Sequence, residues 1–147
     1  MTTETTCLKG RAILTLTRPD GTTETRRQDN LITNAGFDFL CSAIASPTRP
    51  NAMNYTALGT GTAATAAAQT ALSSELTRKS AAYSHTSGTK EFTLTTTFGA
   101  GEATGAITEA GIVNASSGGT LFDRVTFDVI NKGAQDELTT KLVFTLS

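Results

Sequence analysis

The chain has no tryptophan, one histidine, two cysteines, three prolines and only two tyrosines in 147 residues. Each scarcity removes a class of chemistry. A lone histidine, His85, cannot build a His-rich metal site, and it leaves a serine-histidine-acid triad with one possible base and no GxSxG elbow to supply the serine. Its reading is an exposed turn residue. Cys7 and Cys41 lie far apart and outside any CxxC spacing, which indicates neither zinc nor a disulfide framework. Both are read as reduced thiols, Cys41 packed as a small hydrophobe on a helix and Cys7 in an N-terminal arm. Charge is also sparse, at 17% of residues, and it nearly cancels, with 12 basic against 13 acidic side chains. A net charge of -1 gives no positive field for a nucleic acid backbone. No apolar run approaches the roughly 18 residues of a membrane span, and Met1–Leu8 (MTTETTCL) lacks the basic and apolar regions of a secretory leader. The expected partners therefore include neither nucleic acid nor membrane, and no cofactor or metal is expected.

Threonine is the residue in excess, at about a fifth of the chain. Its branched Cβ suits a pleated, half-exposed surface, and its hydroxyl can bond across strands or to turn backbone. Arg11–Arg18 begins an apolar face at period two, and Pro19-Asp20-Gly21 turns it into the polar strand Thr22–Arg27. That second strand reads as an edge, with Glu24, Arg26 and Arg27 discouraging unwanted pairing. Within Asn30–Ile44, Phe37, Leu40, Cys41 and Ile44 stand at helical spacing with Thr33 or Asn34 as cap, and Pro47 and Pro50 end the helix. Tyr55–Thr62 reads as a short strand and turn, 63–69 as a loop, and Thr70–Leu76 as one helical turn. Strands then follow at Lys79–His85, Glu91–Phe98, Ala106–Asn114, Leu121–Ile130 and Glu137–Ser147. In the fourth of these Leu121, Val125, Phe127 and Val129 share a face.

This pattern predicts a mainly β fold, an antiparallel two-sheet β-sandwich with one short α-helix in its N-terminal half. The expected organisation is a flexible arm over residues 1–9 and a single domain over 10–147. Two motifs invite a chemical reading. Gly59-Thr60-Gly61-Thr62 has glycines like a phosphate loop, but it lacks the third glycine and the GK[ST] ending, and reads instead as a place of close backbone approach. Glu102, Glu109, Asp123 and Asp128 match no calcium-loop spacing and read as solvated charges.

The segments Asn30–Leu40 (NLITNAGFDFL), Tyr55–Thr62 (YTALGTGT), Ala71–Arg78 (ALSSELTR), Ala106–Asn114 (AITEAGIVN) and Gly119–Phe127 (GTLFDRVTF) span most of the chain. In that order they resemble a group of small structural proteins of tailed bacteriophages, described as tail-fibre-like or as decorating the head or neck. The resemblance implies a virion subunit, made in the host cytoplasm, without catalytic residues. It would act by self-association and by docking to neighbouring virion proteins; the alternative is a fibre module that binds host-surface glycan. The surfaces expected to meet partners are the arm, through Thr5, Thr6, Cys7 and Leu8, and the hairpin, through Arg26 and Arg27.

Overall fold

The computed structural model describes residues 8–147. β1 (Leu8–Thr17) and β2 (Thr23–Ile32) form the expected hairpin, longer at both ends, in a register that sets Thr17 opposite Thr23 and Gly10 opposite Asn30. The turn works as its sequence implies: Gly21 adopts φ 88°, its N–H donates to the Arg18 carbonyl at 2.9 Å, and the Asp20 carboxylate accepts from the Thr22 amide at 2.9 Å. Helix α1 (Asn34–Ala45) is capped by Thr33, whose Oγ1 accepts from the Gly36 N–H at 2.9 Å and donates to the Leu121 carbonyl at 2.8 Å. Seven further strands follow: β3 (Tyr55–Gly59), β4 (Glu75–Ser80), β5 (Ala82–His85), β6 (Glu91–Phe98), β7 (Gly105–Val113), β8 (Asp123–Lys132) and β9 (Glu137–Leu146).

The two-sheet sandwich is overturned. All nine strands join one antiparallel sheet in the order β4-β3-β7-β8-β2-β1-β9-β6-β5, nearly closed into a barrel. The reason is a two-residue ladder: Leu31 pairs with Arg124 and Ile32 with Asp123, and this short contact joins a four-stranded half to a five-stranded half. At the opposite seam the edge strands β4 and β5 are one chain interrupted only at Ala81. Here side chains stand in for a ladder. Thr96 Oγ1 donates to Thr56 Oγ1 at 2.9 Å in the interior, and Lys79 Nζ donates to the Thr97 carbonyl at 2.8 Å.

Alternation fills the barrel. Leu8, Ala12, Leu14 and Leu16 of β1 meet Leu138, Leu142 and Phe144 of β9, together with Leu94, Phe98, Ile107, Ile112, Val125 and Ile130. The Phe144 ring stacks on Phe92 at 5.1 Å and meets the edge of Phe122 at 5.3 Å, and Phe122 in turn meets Phe39 of α1. Helix α1 packs against this core through Phe37, Phe39 and Leu40. Its buried stripe starts at Gly36, one residue earlier than the spacing from Phe37 implies, which turns the last part of the expected face outward. Cys41 is exposed and Ile44 is 69% exposed, so Cys41 does not pack as a core residue.

Two other expectations are corrected. Residues 70–74 are irregular and Glu75–Leu76 open β4, so no helical turn forms there; Leu72 packs beneath the loop while Leu76 is exposed. In β8 the shared face of Leu121, Val125, Phe127 and Val129 is broken by a bulge. Ile107 pairs with Ile130 and Glu109 with Thr126, so a single residue of β7, Thr108, faces three of β8, Phe127–Val129. The extra residues shift the inward position to Ile130 and leave Val129 41% exposed.

Candidate functional site

The bulge accompanies an opening in the sheet between β2 and β8. Had the β2–β8 ladder continued in its starting register, Arg27 would stand opposite Asp128 and Arg26 opposite Val129. Instead it ends after two residues, and Thr23–Asn30 of β2 pairs with β1 alone. The expected edge strand is thus an interior strand, between β8 and β1, that lacks a partner on the β8 side only over Thr23–Asn30. A slot of about 380 Å³ lies there, lined by Arg26, Arg27, Gln28, Thr62, Thr108, Thr126, Phe127 and Asp128.

Arg26 spans the slot. Its Nε donates to the Asp128 carbonyl at 3.3 Å and its Nη2 to the Val129 carbonyl at 3.2 Å, so a guanidinium serves the carbonyls that a neighbouring strand would otherwise have bonded. Glu24 balances the charge, accepting from Arg26 at 3.3 Å and from Arg18 at 2.6 Å, while Arg11 pairs with Asp29 at 3.3 Å. Arg27 is exposed and has no carboxylate partner among the described residues. Across the hairpin, Glu24, Arg26, Gln28 and Asn30 stand opposite Leu16, Leu14, Ala12 and Gly10, so the inward row of β2 is polar where that of β1 is apolar.

Beside the slot the outer face of β7 and β8 is sealed by the loop over residues 60–74. Beneath it lies a fully buried ion pair: Arg124 Nε meets Glu109 Oε1 at 2.9 Å, with both side chains 0% exposed. Glu109 also accepts from the backbone N–H groups of Gly61 and Ser74, each at 2.7 Å, and of Ser73 at 2.8 Å. Burial pushes the Glu109 carboxyl up, but these donors together outweigh it and hold its pKa below the ordinary value. Arg124 Nη1 donates to the Ala63 carbonyl at 2.8 Å, and its Nη2 is buried without a partner. The GTGT glycines now have a reason. A Cβ on Gly59 would stand 2.5 Å from the Ser74 carbonyl, and one on Gly61 would collide with the Glu109 carboxylate. Their role is close approach, as the missing third glycine implied.

No family model, curated protein or solved structure matches this chain.

The four carboxylates read as solvated divide in two. Glu102 and Asp128 are exposed, Glu102 pairing with Lys79 at 2.9 Å, whereas Glu109 and Asp123 are fully buried. Asp123 opens β8, where its Oδ1 accepts from the Ile112 N–H at 2.9 Å and its Oδ2 from the Asn30 amide. Burial raises its pKa to about 7 against these two bonds. His85 closes β5, exposed, with Nδ1 at 2.7 Å from the Glu91 carbonyl. Among the described residues no group of three or more His, Cys, Asp and Glu is placed to hold a metal ion.

Of the residues expected to contact partners, Thr5, Thr6 and Cys7 lie outside the described residues. Leu8 is 1% exposed and ladder-paired with Leu146, so its side chain belongs to the core. Arg26 and Arg27 are brought together at the slot. The backbone opening beside them gave no signal of its own in the sequence, because it arises where β8 parts from β2, a strand distant along the chain, after a two-residue ladder.

Proposed function

We propose that the protein is a non-enzymatic structural subunit of a tailed-bacteriophage particle, acting by self-association and by docking to neighbouring virion proteins. The five ordered segments support the phage reading through their resemblance, and the observation that carries the assembly reading is the open edge of β2 beside the β8 bulge. Over eight consecutive residues β2 has no partner strand on that side among the described residues, so alternate residues present unladdered backbone donors and acceptors there, and extended segments of other chains bind such edges. The groups best suited to chemistry are committed elsewhere: Glu109 and Arg124 bond one another and the covering loop, and Asp123 holds β7 to β2. Assembly into a symmetric array multiplies weak contacts into firm attachment.

The test is add-back. Particles stripped of the protein are mixed with the purified chain, and bound copies are counted. Saturation at a fixed number of sites per particle is the expected result. Binding that never saturates, or no binding, sinks the reading, and specific glycan binding by the isolated chain would replace it with the fibre-module alternative.

A further inference from the structure

The open edge of β2 has three properties that together describe its occupant. The first is length. Thr23–Asn30 is eight residues, an extended run of about 27 Å at roughly 3.4 Å per residue. The second is that no strand of the same sheet can take the place. The bulge at Phe127–Val129 carries β8 away from β2 after Leu31 and Ile32, and β1 holds the other side of β2 from Thr23 to Asn30. The third is charge. Arg11 is matched by Asp29, and Arg18 and Arg26 by Glu24, which leaves Arg27 as the arginine of this hairpin without a carboxylate partner among the described residues.

The chain itself contains a segment of complementary chemistry. Met1–Cys7 reads MTTETTC, with four β-branched threonines around a single acid, Glu4. Seven residues span at most about 25 Å when extended, so the edge is long enough to seat the segment, and the five from Thr2 to Thr6 would occupy about 17 Å of it. Within one copy the fit is poor. Leu8 is paired with Leu146 beyond the Gly10–Asn30 end of the hairpin, on the side of β1 away from the open edge. A segment preceding Leu8 would have to double back across both strands to lie along β2. A second copy meets no such constraint.

We propose that the free edge of β2 in one copy receives the N-terminal segment Thr2–Thr6 of a second copy as an added strand, with Glu4 set against Arg27. The main chain supplies affinity through ladder hydrogen bonds, and the Glu4–Arg27 pair fixes register. Arg26 is the side chain standing in the slot, and its carbonyl bonds of 3.2 and 3.3 Å are long and partly exposed, so the incoming strand displaces it cheaply. The contact is heterologous: each copy both gives a segment and receives one, which closes into a ring or continues as an array. The inference deepens the assembly reading above and rests on it only in taking a copy of this chain as the partner.

The experiment uses the full chain and a charge exchange. Wild type, Glu4→Arg, Arg27→Glu and the double variant are weighed by light scattering over a range of concentrations, with circular dichroism confirming that each is folded. The expected wild type is a concentration-dependent oligomer. Either single change weakens association by about tenfold or more, and the double exchange restores it. A wild type monomeric at every concentration overturns the proposal, as do single variants that associate normally or a double variant that stays weak. Deleting residues 2–6 is a second arm: association that survives would mean that β2 edges pair with one another or that another surface is used, and either outcome overturns it. Particle add-back keeps the two ideas apart. A monomer that still saturates particles defeats this inference alone, whereas an oligomer behaving as stated that never binds particles defeats only the virion assignment.

Discussion

Glu109 and Arg124 are fully buried opposite charges, and such a pair is costly to break although it adds little net stability when intact. Replacing Arg124 with methionine strands the Glu109 carboxylate, and chemical denaturation should register a loss of about 3–5 kcal/mol. A loss under about 1 kcal/mol would mean that the three backbone donors suffice for Glu109. Asp123 behaves oppositely with pH. Its pKa is raised to about 7, so the folded protein keeps a proton that the unfolded chain has released above about 4. Its contribution is complete below about pH 4 and is lost as pH rises through 7. Glu109, with its pKa lowered, contributes stability above its ordinary pKa that is lost as pH falls through its folded value. The decline from pH 4 to 7 should flatten in Asp123→Asn, whose amide can accept from Ile112 and donate to an Asn30 turned so that its unpartnered Oδ1 faces it. An unchanged slope by denaturant titration at several pH values would assign the decline to another group. Sequence reading missed both acids for one reason. Acidic residues default to the surface, and only partners remote in sequence make these two interior: the loop over the outer face of β7 covers Glu109, and Asn30 of β2 and Ile112 of β7 bind Asp123.

At the scale of elements, the period-two segments were legible because their burial is one-sided: β1, β6 and β9 alternate as their sequences imply, except that Leu146, expected on the inner face of β9, is 41% exposed at its end. The hairpin turn and the Thr33 cap were legible because their chemistry is local. Thr33→Ala removes both the cap to Gly36 and the bond to Leu121, and should cost about 1–2 kcal/mol in thermal or chemical unfolding. What failed was everything set by a neighbour. The β8 bulge depends on its pairing with β7, the buried stripe of α1 on how the helix meets Phe122, and β4 on its pairing with β3. Residues 60–74 have no periodic face because they lay Leu72 against Leu121 and cover the Glu109–Arg124 pair instead of forming an element. Gly61→Ala places a methyl against the Glu109 carboxylate and should loosen that loop, seen as faster proteolysis within residues 60–74 while the barrel stays folded. Cleavage no faster than in wild type would show that Glu109 can yield.

For the molecule as a whole, sandwich and barrel share the same strands, turns and inward faces, and differ in which edges meet. Alternation tells each residue which side to face but carries no term for edge joining, so a link as short as Leu31–Ile32 against Arg124–Asp123 was beyond it. The two joints of the barrel are unequal to its body. β1 is paired along its full length with β9 and from Gly10 to Thr17 with β2, whereas β5 is a four-residue exposed strand paired on one side. Native-state hydrogen exchange should therefore find the slowest amides in β1 and β9 and the fastest strand amides in β5. Uniform protection across all nine strands would contradict that hierarchy. The seam at Ala81 also gives the chain a built-in optical signal. With no tryptophan, near-ultraviolet emission comes from Tyr55 and Tyr83; Tyr55 stands opposite Ser80 across the last rung before the crossing, and Tyr83 lies two residues after it, against the ring of Phe92. Both fluorophores of the molecule thus flank its weakest closure, and light from the unlabelled protein will tell an opened barrel from a shut one.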